Sequence, residues 1–237
     1  MQYYMRKVCG WEDTEKGQTR QFKLPNQKSR LLRKGKNSLT IAAAGGCSRL
    51  ADGLAEVLRK NYMESPENND YFHSIVVITD RDETDTETRF IQSIESVLKS
   101  ENVTLDKQIK NNQWTGCHMT INAGVEIQMR LLVMVIPFEE NGAMETFLLD
   151  AVAEQDAYDK KIVEECRDFI DNTDTERRYL SKRRLITKAK FDAFFCVWTA
   201  AEQFNERSSI IKNIPWEDYT AIQKDFKLLE YITDSEE

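Results

Sequence analysis

The hydrophobic pattern up to residue 152 predicts strands and helices in alternation. Residues 75–79 are a continuous β-branched run, which is typical of a strand covered on both faces in a parallel sheet, and residues 130–137 predict a second apolar strand. Residues 84–99 instead carry apolar side chains at helical spacing, including Phe90 and Ile94. The order strand, helix, strand, helix therefore predicts an α/β fold with an open, mostly parallel sheet flanked by helices.

Two further strands and two further helices fit the same alternation. A short apolar run at residues 38–44 ends at Gly45 and Gly46, and an amphipathic helix follows these glycines. Residues 114–121 predict another strand, and a helix begins near Gly142. The chain thus contains enough alternating elements for a layered α/β core.

Beyond residue 158 the pattern is helical and highly charged. Apolar residues recur there in three stripes at helical spacing, as expected of helices that cover a sheet. The stripes are Ile162, Cys166, Phe169 and Ile170; Phe191, Phe194, Phe195 and Trp198; and Tyr219, Ile222, Phe226 and Leu229. We therefore divide the chain into an α/β core, residues 1–152, and a helical C-terminal extension, residues 153–237, packed on that core.

The amino-terminal region predicts less regular structure. Residues 1–11 have apolar positions at helix-like spacing without an N-cap before them, which we interpret as a helix that lacks its beginning. Residues 12–37 are polar and basic around Pro25, and we predict a loop or a ragged hairpin for them.

Composition narrows the classes of protein that remain. The net charge of −7 and the pI near 5.2 argue against a protein that coats nucleic acid through its overall charge. No apolar run is long enough to span a bilayer, so we expect no membrane association. The five cysteines are scattered and form no CxxC pair, which favours reduced thiols and a cytoplasmic location.

Candidate chemistry begins at the end of the apolar run at residues 75–79, where Asp80 and Asp82 follow. Ligands of open α/β sheets gather at the carboxyl ends of strands, and alternate residues of an extended chain point the same way. Two close carboxylates repel unless a cation or proton neutralises them, and their hard oxygens favour Mg²⁺, Mn²⁺ or Ca²⁺ over zinc. The alternative interpretation is a solvated turn whose acidic residues favour a helix N-terminus.

A second acidic cluster follows the run at residues 130–137. It contains Glu139, Glu140 and Glu145, and a neighbouring parallel strand would bring these carboxylates towards Asp80. We expect Glu145 to lie in the first turn of its helix and to complete the site with Asp80 and Asp82. For Glu139 and Glu140 we favour simple solvation at the surface.

These motifs resemble those of stand-alone Toprim-like proteins over residues 38–152. The resemblance lies in the strand before Gly45-Gly46, in Asp80-x-Asp82, and in the strand that leads to Glu145. It implies a metal-binding domain in which Mg²⁺ or Mn²⁺ serves phosphodiester chemistry, with Asp80, Asp82 and Glu145 as the metal-binding and catalytic carboxylates. The family also carries a catalytic glutamate on a first strand, and this sequence has no counterpart to it.

The missing glutamate leads to two expectations. We expect that residues before Met1, including the first strand, are absent, and that the chain as given binds metal but is catalytically inactive or impaired. The basic residues Arg30, Arg33 and Lys34 are candidate phosphate contacts, with a solvated loop as the alternative.

Three hypotheses about function remain open. The first is a Mg²⁺-dependent nuclease or nucleotidyl-transfer enzyme of Toprim type, in DNA repair or phage defence. The second is a non-catalytic, degenerate Toprim-like module that binds nucleic acid, a nucleotide or a protein partner. The third is a haloacid-dehalogenase-type phosphatase, which is weaker because the order of aspartates that this group requires is not found here.

Overall fold

Each predicted apolar run forms a strand or a helix in the computed structural model, which describes residues 1–14, 29–67, 70–202 and 205–233. The strands are β1 (Glu12–Asp13), β2 (Ser29–Lys34), β3 (Asn37–Ala42), β4 (Ser74–Asp80), β5 (Val103–Leu105), β6 (Gln113–Thr120) and β7 (Glu126–Ile136). The helices are α1 (Gln2–Lys7), α2 (Leu50–Met63), α3 (Thr86–Ser100), α4 (Met144–Gln155), α5 (Ala157–Thr173), α6 (Arg183–Trp198), α7 (Arg207–Asn213) and α8 (Thr220–Phe226).

The main sheet has four strands in the order β4-β7-β6-β5. β4 and β7 run parallel, whereas β6 is antiparallel to β7 and β5 is antiparallel to β6. The α/β class, the flanking helices and the C-terminal helices are thus confirmed. The strand directions are more mixed than the predicted, mostly parallel arrangement, because a tight turn between Ile121 and Val125 joins β6 to β7 as a hairpin.

β7 contributes buried side chains to both faces of the main sheet, and each face has its own hydrophobic core. Leu132, Met134 and Ile136 point into one core, and the odd-numbered residues between them point into the other. Helices α2 and α3 cover the second core, while α1, α4, α6 and α8 cover the first. Burial on both faces explains why the sequence of β7 is continuously apolar rather than alternating.

A second, antiparallel sheet has the order β1-β2-β3. We predicted a loop or a ragged hairpin for residues 12–37, and β2 and β3 form a hairpin. Residues 15–28 of this region lie outside the described part of the chain. The run at residues 38–44 forms β3, which pairs with β2 and not with any strand of the main sheet in the described part of the chain.

The C-terminal helices pack on the main sheet, as their apolar stripes predicted. Phe191, Phe194 and Phe195 of α6 are buried in the first core together with Phe226 of α8. The apolar stripe predicted for α5 is wrong at Phe169, because this side chain is 61% exposed. The residue of α5 that is fully buried in the core is Val163. No helix among the described residues is long and apolar enough to cross a membrane.

Candidate functional site

The candidate site lies where β4 ends beside β7. Asp80 is the last residue of β4 and is paired in register with Ile136, the last residue of β7. Its carboxylate Oδ1 accepts a hydrogen bond of 3.1 Å from the backbone N–H of Met144, in the first turn of α4. A helix N-terminus favours a negative charge, so α4 helps to hold Asp80 in place.

The structure brings the three predicted carboxylates close enough to interact electrostatically. Burial raises the pKa of Asp80 most, and the negative charges of Asp82 and Glu145 raise it further. The Met144 N–H and the ammonium group of Lys188 act in the opposite direction. Asp80, Asp82 and Glu145 therefore form one electrostatically coupled group.

Two basic side chains of α6 adjoin this group, and the sequence did not single them out for this role. The Lys188 ammonium lies 3.9 Å from Glu145 Oε1, and the Arg183 guanidinium donates a hydrogen bond to the main-chain oxygen of Asp82. The linear sequence carries little signal for either contact, because α6 follows β4 by about a hundred residues.

Arg81, between the two aspartates, has a structural role that the sequence pattern did not reveal. Its side chain is buried and donates hydrogen bonds to the carbonyl oxygens of Pro137 at 2.7 Å and Phe138 at 2.6 Å. It also forms an ion pair with Glu87, which in turn accepts a hydrogen bond from Asn111. Arg81 thus fixes the loop after β7 against the end of β4.

Main-chain contacts complete this connection between the two loops. The N–H of Gly142 donates to the carbonyl oxygen of Arg81 at 2.7 Å, and the amide of Asn141 donates to the Thr84 hydroxyl at 2.9 Å. A Cβ atom at Gly142 would lie 2.7 Å from Thr146 Cβ, so a larger residue does not fit without rearrangement. The position of Glu145 relative to Asp80 therefore depends on a loop held at several points.

The donor chemistry fits Mg²⁺ or Mn²⁺, since the three side chains offer only hard carboxylate oxygens. The geometry fits less closely. Among the described residues, no three His, Cys, Asp or Glu side chains converge tightly enough to hold one metal ion. Binding by Asp80, Asp82 and Glu145 together would therefore require their side chains to move towards each other, and Glu145 to leave Lys188.

The other predicted site residues lie apart from this group. Glu139 and Glu140 are exposed, in agreement with the favoured interpretation of surface solvation. Arg30 forms an ion pair of 3.7 Å with Asp13, and Arg33 and Lys34 are exposed on β2. The structure therefore places the candidate phosphate contacts on the small sheet and not on the sheet that carries Asp80.

These observations define the class of protein as an α/β protein with a coupled carboxylate group at the carboxyl end of a parallel strand pair. The chain belongs to the DUF3226 family, described as a protein of unknown function, whose family model matches residues 8–227. Neither the curated proteins nor the solved structures contain a significant match to the chain.

Proposed function

We propose that Asp80, Asp82 and Glu145 bind a divalent cation, Mg²⁺ or Mn²⁺, and that the protein uses this site in phosphodiester chemistry as a Toprim-like nuclease or nucleotidyl-transfer enzyme. The observation that carries the proposal is the electrostatic coupling of three carboxylates that come from two distant segments. Like charges held this close are stabilised by a bound cation. The proposed setting, DNA repair or phage defence, rests on the resemblance of these motifs to those of Toprim-like proteins.

Each residue of the site has a defined part in this proposal. Asp80, oriented by the Met144 N–H, would supply one carboxylate, and Asp82 and Glu145 would supply the other two. When bound, the metal ion would polarise a phosphoryl oxygen of the substrate. Lys188 and Arg183 lie beside the carboxylates, where cationic side chains can contact a substrate phosphate.

The proposal is tested by a titration with Mn²⁺ or Mg²⁺, followed by thermal melting and by calorimetry. We expect either cation to raise the melting temperature of the wild type, and the double substitution Asp80→Asn with Asp82→Asn to abolish the rise. Glu140→Gln is the matched control, because Glu140 is an exposed carboxylate in the loop that precedes Glu145. An equal rise of the melting temperature in the double variant, or no rise in the wild type, would rule out the proposed metal site.

Lys188 provides a second test of the same site. Its ammonium group competes with a metal ion for Glu145, so we expect Lys188→Met to bind Mn²⁺ about threefold to tenfold more tightly than the wild type. Weaker binding in this variant would show that Lys188 supports the site rather than competes for it.

A second candidate function is a non-catalytic module that binds nucleic acid, a nucleotide or a protein partner. The pairing of Glu145 with Lys188 favours it, because an internal cation already offsets part of the negative charge. Cleavage assays on single- and double-stranded DNA and RNA with Mn²⁺ separate the two functions. Cleavage that Asp80→Asn abolishes supports the enzyme, whereas metal binding without cleavage of any substrate supports the module.

A further inference from the structure

The connection between α5 and α6 and the first turns of α6 differ in charge from the rest of the chain. The whole chain has a net charge of −7, yet half of residues 177–190 are basic and none is acidic. The basic residues are Arg177, Arg178, Lys182, Arg183, Arg184, Lys188 and Lys190. We call residues 177–188 the basic segment and leave out Lys190, which forms an ion pair of 2.7 Å with Asp171.

Most of the positive charge of the basic segment is not neutralised by the protein itself. Arg177, Arg178, Lys182 and Arg184 are exposed, and no carboxylate of the described chain forms an ion pair with any of the four. By contrast, Lys160 and Lys161 of α5 lie 3.9 Å and 3.7 Å from glutamates of the same helix. The basic segment therefore offers a local positive surface to an anionic partner, although the chain as a whole is acidic.

The backbone holds the basic segment in a defined conformation. The carboxylate of Asp174 accepts hydrogen bonds of 2.6 to 3.0 Å from the N–H groups of Arg178, Tyr179 and Leu180. α6 then begins at Arg183, without an acidic residue in its first turn. A helix N-terminus carries a partial positive charge, so the start of α6 adds to the charge of the side chains around it.

An exposed aromatic ring lies within this positive surface. Tyr179 has 71% of its surface exposed, and the guanidinium carbon of Arg178 lies 5.4 Å from its ring centroid. Aromatic rings on basic surfaces are the platforms on which the bases of single-stranded nucleic acids stack. The bases of a duplex are already stacked on each other, so Tyr179 favours a single strand over a duplex.

Other polyanions match this surface less well. Helices and segments that bind membrane surfaces present a broad apolar face beside their basic residues, whereas Tyr179 and Leu185 are the exposed large hydrophobic side chains of the basic segment. An acidic peptide would pair with the cations but would offer no flat base to Tyr179. The combination of unpaired cations and an exposed ring therefore indicates a single-stranded nucleic acid.

The basic segment also adjoins the candidate site. Arg183 donates a hydrogen bond to the main-chain oxygen of Asp82, and Lys188 lies 3.9 Å from Glu145 Oε1. Residues 177–182 directly precede Arg183 in the chain, so a strand bound along them passes beside the three carboxylates.

We propose that the basic segment binds single-stranded nucleic acid, with its cationic side chains on the phosphates and Tyr179 stacked on a base, and so directs the strand to Asp80, Asp82 and Glu145. The inference deepens the proposed function and rests on it for the chemistry at the carboxylates. Binding of the strand itself requires no metal ion. Its affinity should depend steeply on salt, because contacts with phosphates release counterions.

The test measures the binding of a fluorescent oligothymidylate of about 15 nucleotides to the full chain by anisotropy, at low salt and in EDTA. We expect saturable binding that weakens as salt is added. A duplex and an abasic strand of the same length, and vesicles that contain phosphatidylserine, should each compete at least about fivefold less well. Oligouridylate is titrated in parallel: binding of either strand supports the proposal, and the tighter one identifies the preferred sugar.

Two double substitutions that remove the same charge test where the strand binds. Lys182→Gln with Arg184→Gln changes the basic segment, and Lys160→Gln with Lys161→Gln changes α5. We expect the first to weaken binding at least about tenfold and to lower the slope of log Kd against log salt by about 0.7 for each lost contact. The second should bind nearly like the wild type.

Substitutions of aromatic residues test the stacking. Tyr179→Ala should weaken the binding of oligothymidylate at least about fivefold, whereas Tyr179→Phe keeps a ring and should bind like the wild type. Tyr158→Ala is the control, because Tyr158 of α5 is 72% exposed but lies outside the basic segment. Tyr179→Ala should leave the binding of the abasic strand unchanged, a result that a general loss of folding would not give.

Three results would overturn the proposal. The first is absence of saturable binding of either strand to the wild type, and the second is an equal loss of binding in the two double variants. The third is binding of the duplex, the abasic strand or the vesicles as tight as that of oligothymidylate, since the surface would then recognise charge alone or a membrane.

The double substitution Asp80→Asn with Asp82→Asn separates this inference from the proposed function. It removes negative charge beside the strand, so we expect it to bind oligothymidylate in EDTA at least as tightly as the wild type. Strand binding without any response to Mg²⁺ or Mn²⁺ would overturn the metal site and support the basic segment. A response to metal without strand binding would overturn the basic segment and support the metal site.

Discussion

At the scale of single residues, Asp80 lies at the centre of the candidate site, and its ionised carboxylate lowers the stability of the fold. Its pKa is raised above the ordinary value by burial and by Asp82 and Glu145. A carboxyl group with a raised pKa stabilises the fold when it is protonated, and this contribution is lost as the pH rises through the folded-state pKa. At neutral pH, without divalent ions, ionised Asp80 therefore destabilises the protein.

We predict that Asp80→Asn raises the melting temperature of the metal-free protein at pH 7 by roughly 1–3 °C, a small value because solvent screens this partly exposed group. The asparagine carbonyl can still accept the Met144 N–H, so the geometry is kept. The difference from the wild type should disappear below the ordinary pKa of an aspartate, about 4, because the carboxyl group is then protonated in both the folded and the unfolded chain. Melting curves in EDTA from pH 3 to pH 8 measure this, and a lower melting temperature at pH 7 would contradict it.

Arg81 supports a second prediction for a single residue, namely that its side chain stabilises the loops that follow β4 and β7. Arg81→Met removes hydrogen bonds to two carbonyl oxygens and leaves the half-buried Glu87 without its guanidinium partner. Loss of one partner of such a buried pair should reduce the free energy of unfolding by about 3 kcal/mol. Urea denaturation measures the loss.

Arg89→Met is the control for Arg81, because Arg89 also pairs with acidic side chains but is exposed. We expect its substitution to leave stability nearly unchanged. Equal effects of the two substitutions would show that Arg81 is a surface residue in solution and does not hold the two loops together.

At the scale of secondary-structure elements, the sequence predicts a helix or strand best where one face is buried, because burial leaves a clear pattern of apolar residues. The continuous runs of β4 and β7, the amphipathic α3 and the aromatic stripe of α6 were all recognisable, because each faces a core. The sequence also predicted that Glu145 lies near Asp80 and Asp82, because the carboxyl ends of neighbouring parallel strands meet; their function as a metal site stays a prediction.

Other features depend on contacts that no local pattern records. The direction of β6 is set by its short turn to β7, and its apolar run alone does not distinguish parallel from antiparallel pairing. The contacts of Lys188 and Arg183 arise because α6 packs across the sheet, far along the chain from β4. The apolar cavity between β3 and β4 results from the relative placement of the two sheets, which the hydrophobicity of these strands does not determine.

The aromatic stripe of α6 supports a prediction about this element. Phe194 is 1% exposed and packs against the ring of Trp198 at 5.3 Å, so Phe194→Ala should cost about 3–5 kcal/mol of stability. Val197 lies on the same helix with 57% of its surface exposed, and Val197→Ala should change stability by less than about 0.5 kcal/mol. Chemical denaturation of both variants tests the assignment, and similar losses would mean that α6 is rotated in solution.

At the scale of the whole molecule, the question is whether residues 153–237 form a unit that is separable from the α/β core. Phe226 of α8 contacts Tyr4 of α1 at 5.4 Å and Phe147 of α4 at 5.3 Å between ring centroids. These rings join the two ends of the chain in the first core, and β7 extends through that core into the second. Packing of this kind couples the C-terminal helices to the main sheet.

We therefore predict that the chain unfolds in one cooperative transition and that Phe226→Ala lowers the midpoint of the entire transition, with a loss of about 3–5 kcal/mol. Phe90→Ala, in the second core, should shift the same transition. Far-UV circular dichroism follows all helices, whereas tryptophan fluorescence follows the first core, where Trp11 and Trp216 are buried. If the C-terminal helices formed a separable unit, Phe226→Ala would move the fluorescence transition and leave part of the dichroism transition at its wild-type midpoint. Coincident shifts of both signals would instead mean that the helices after residue 152 and the sheet that carries Asp80 are stable only together.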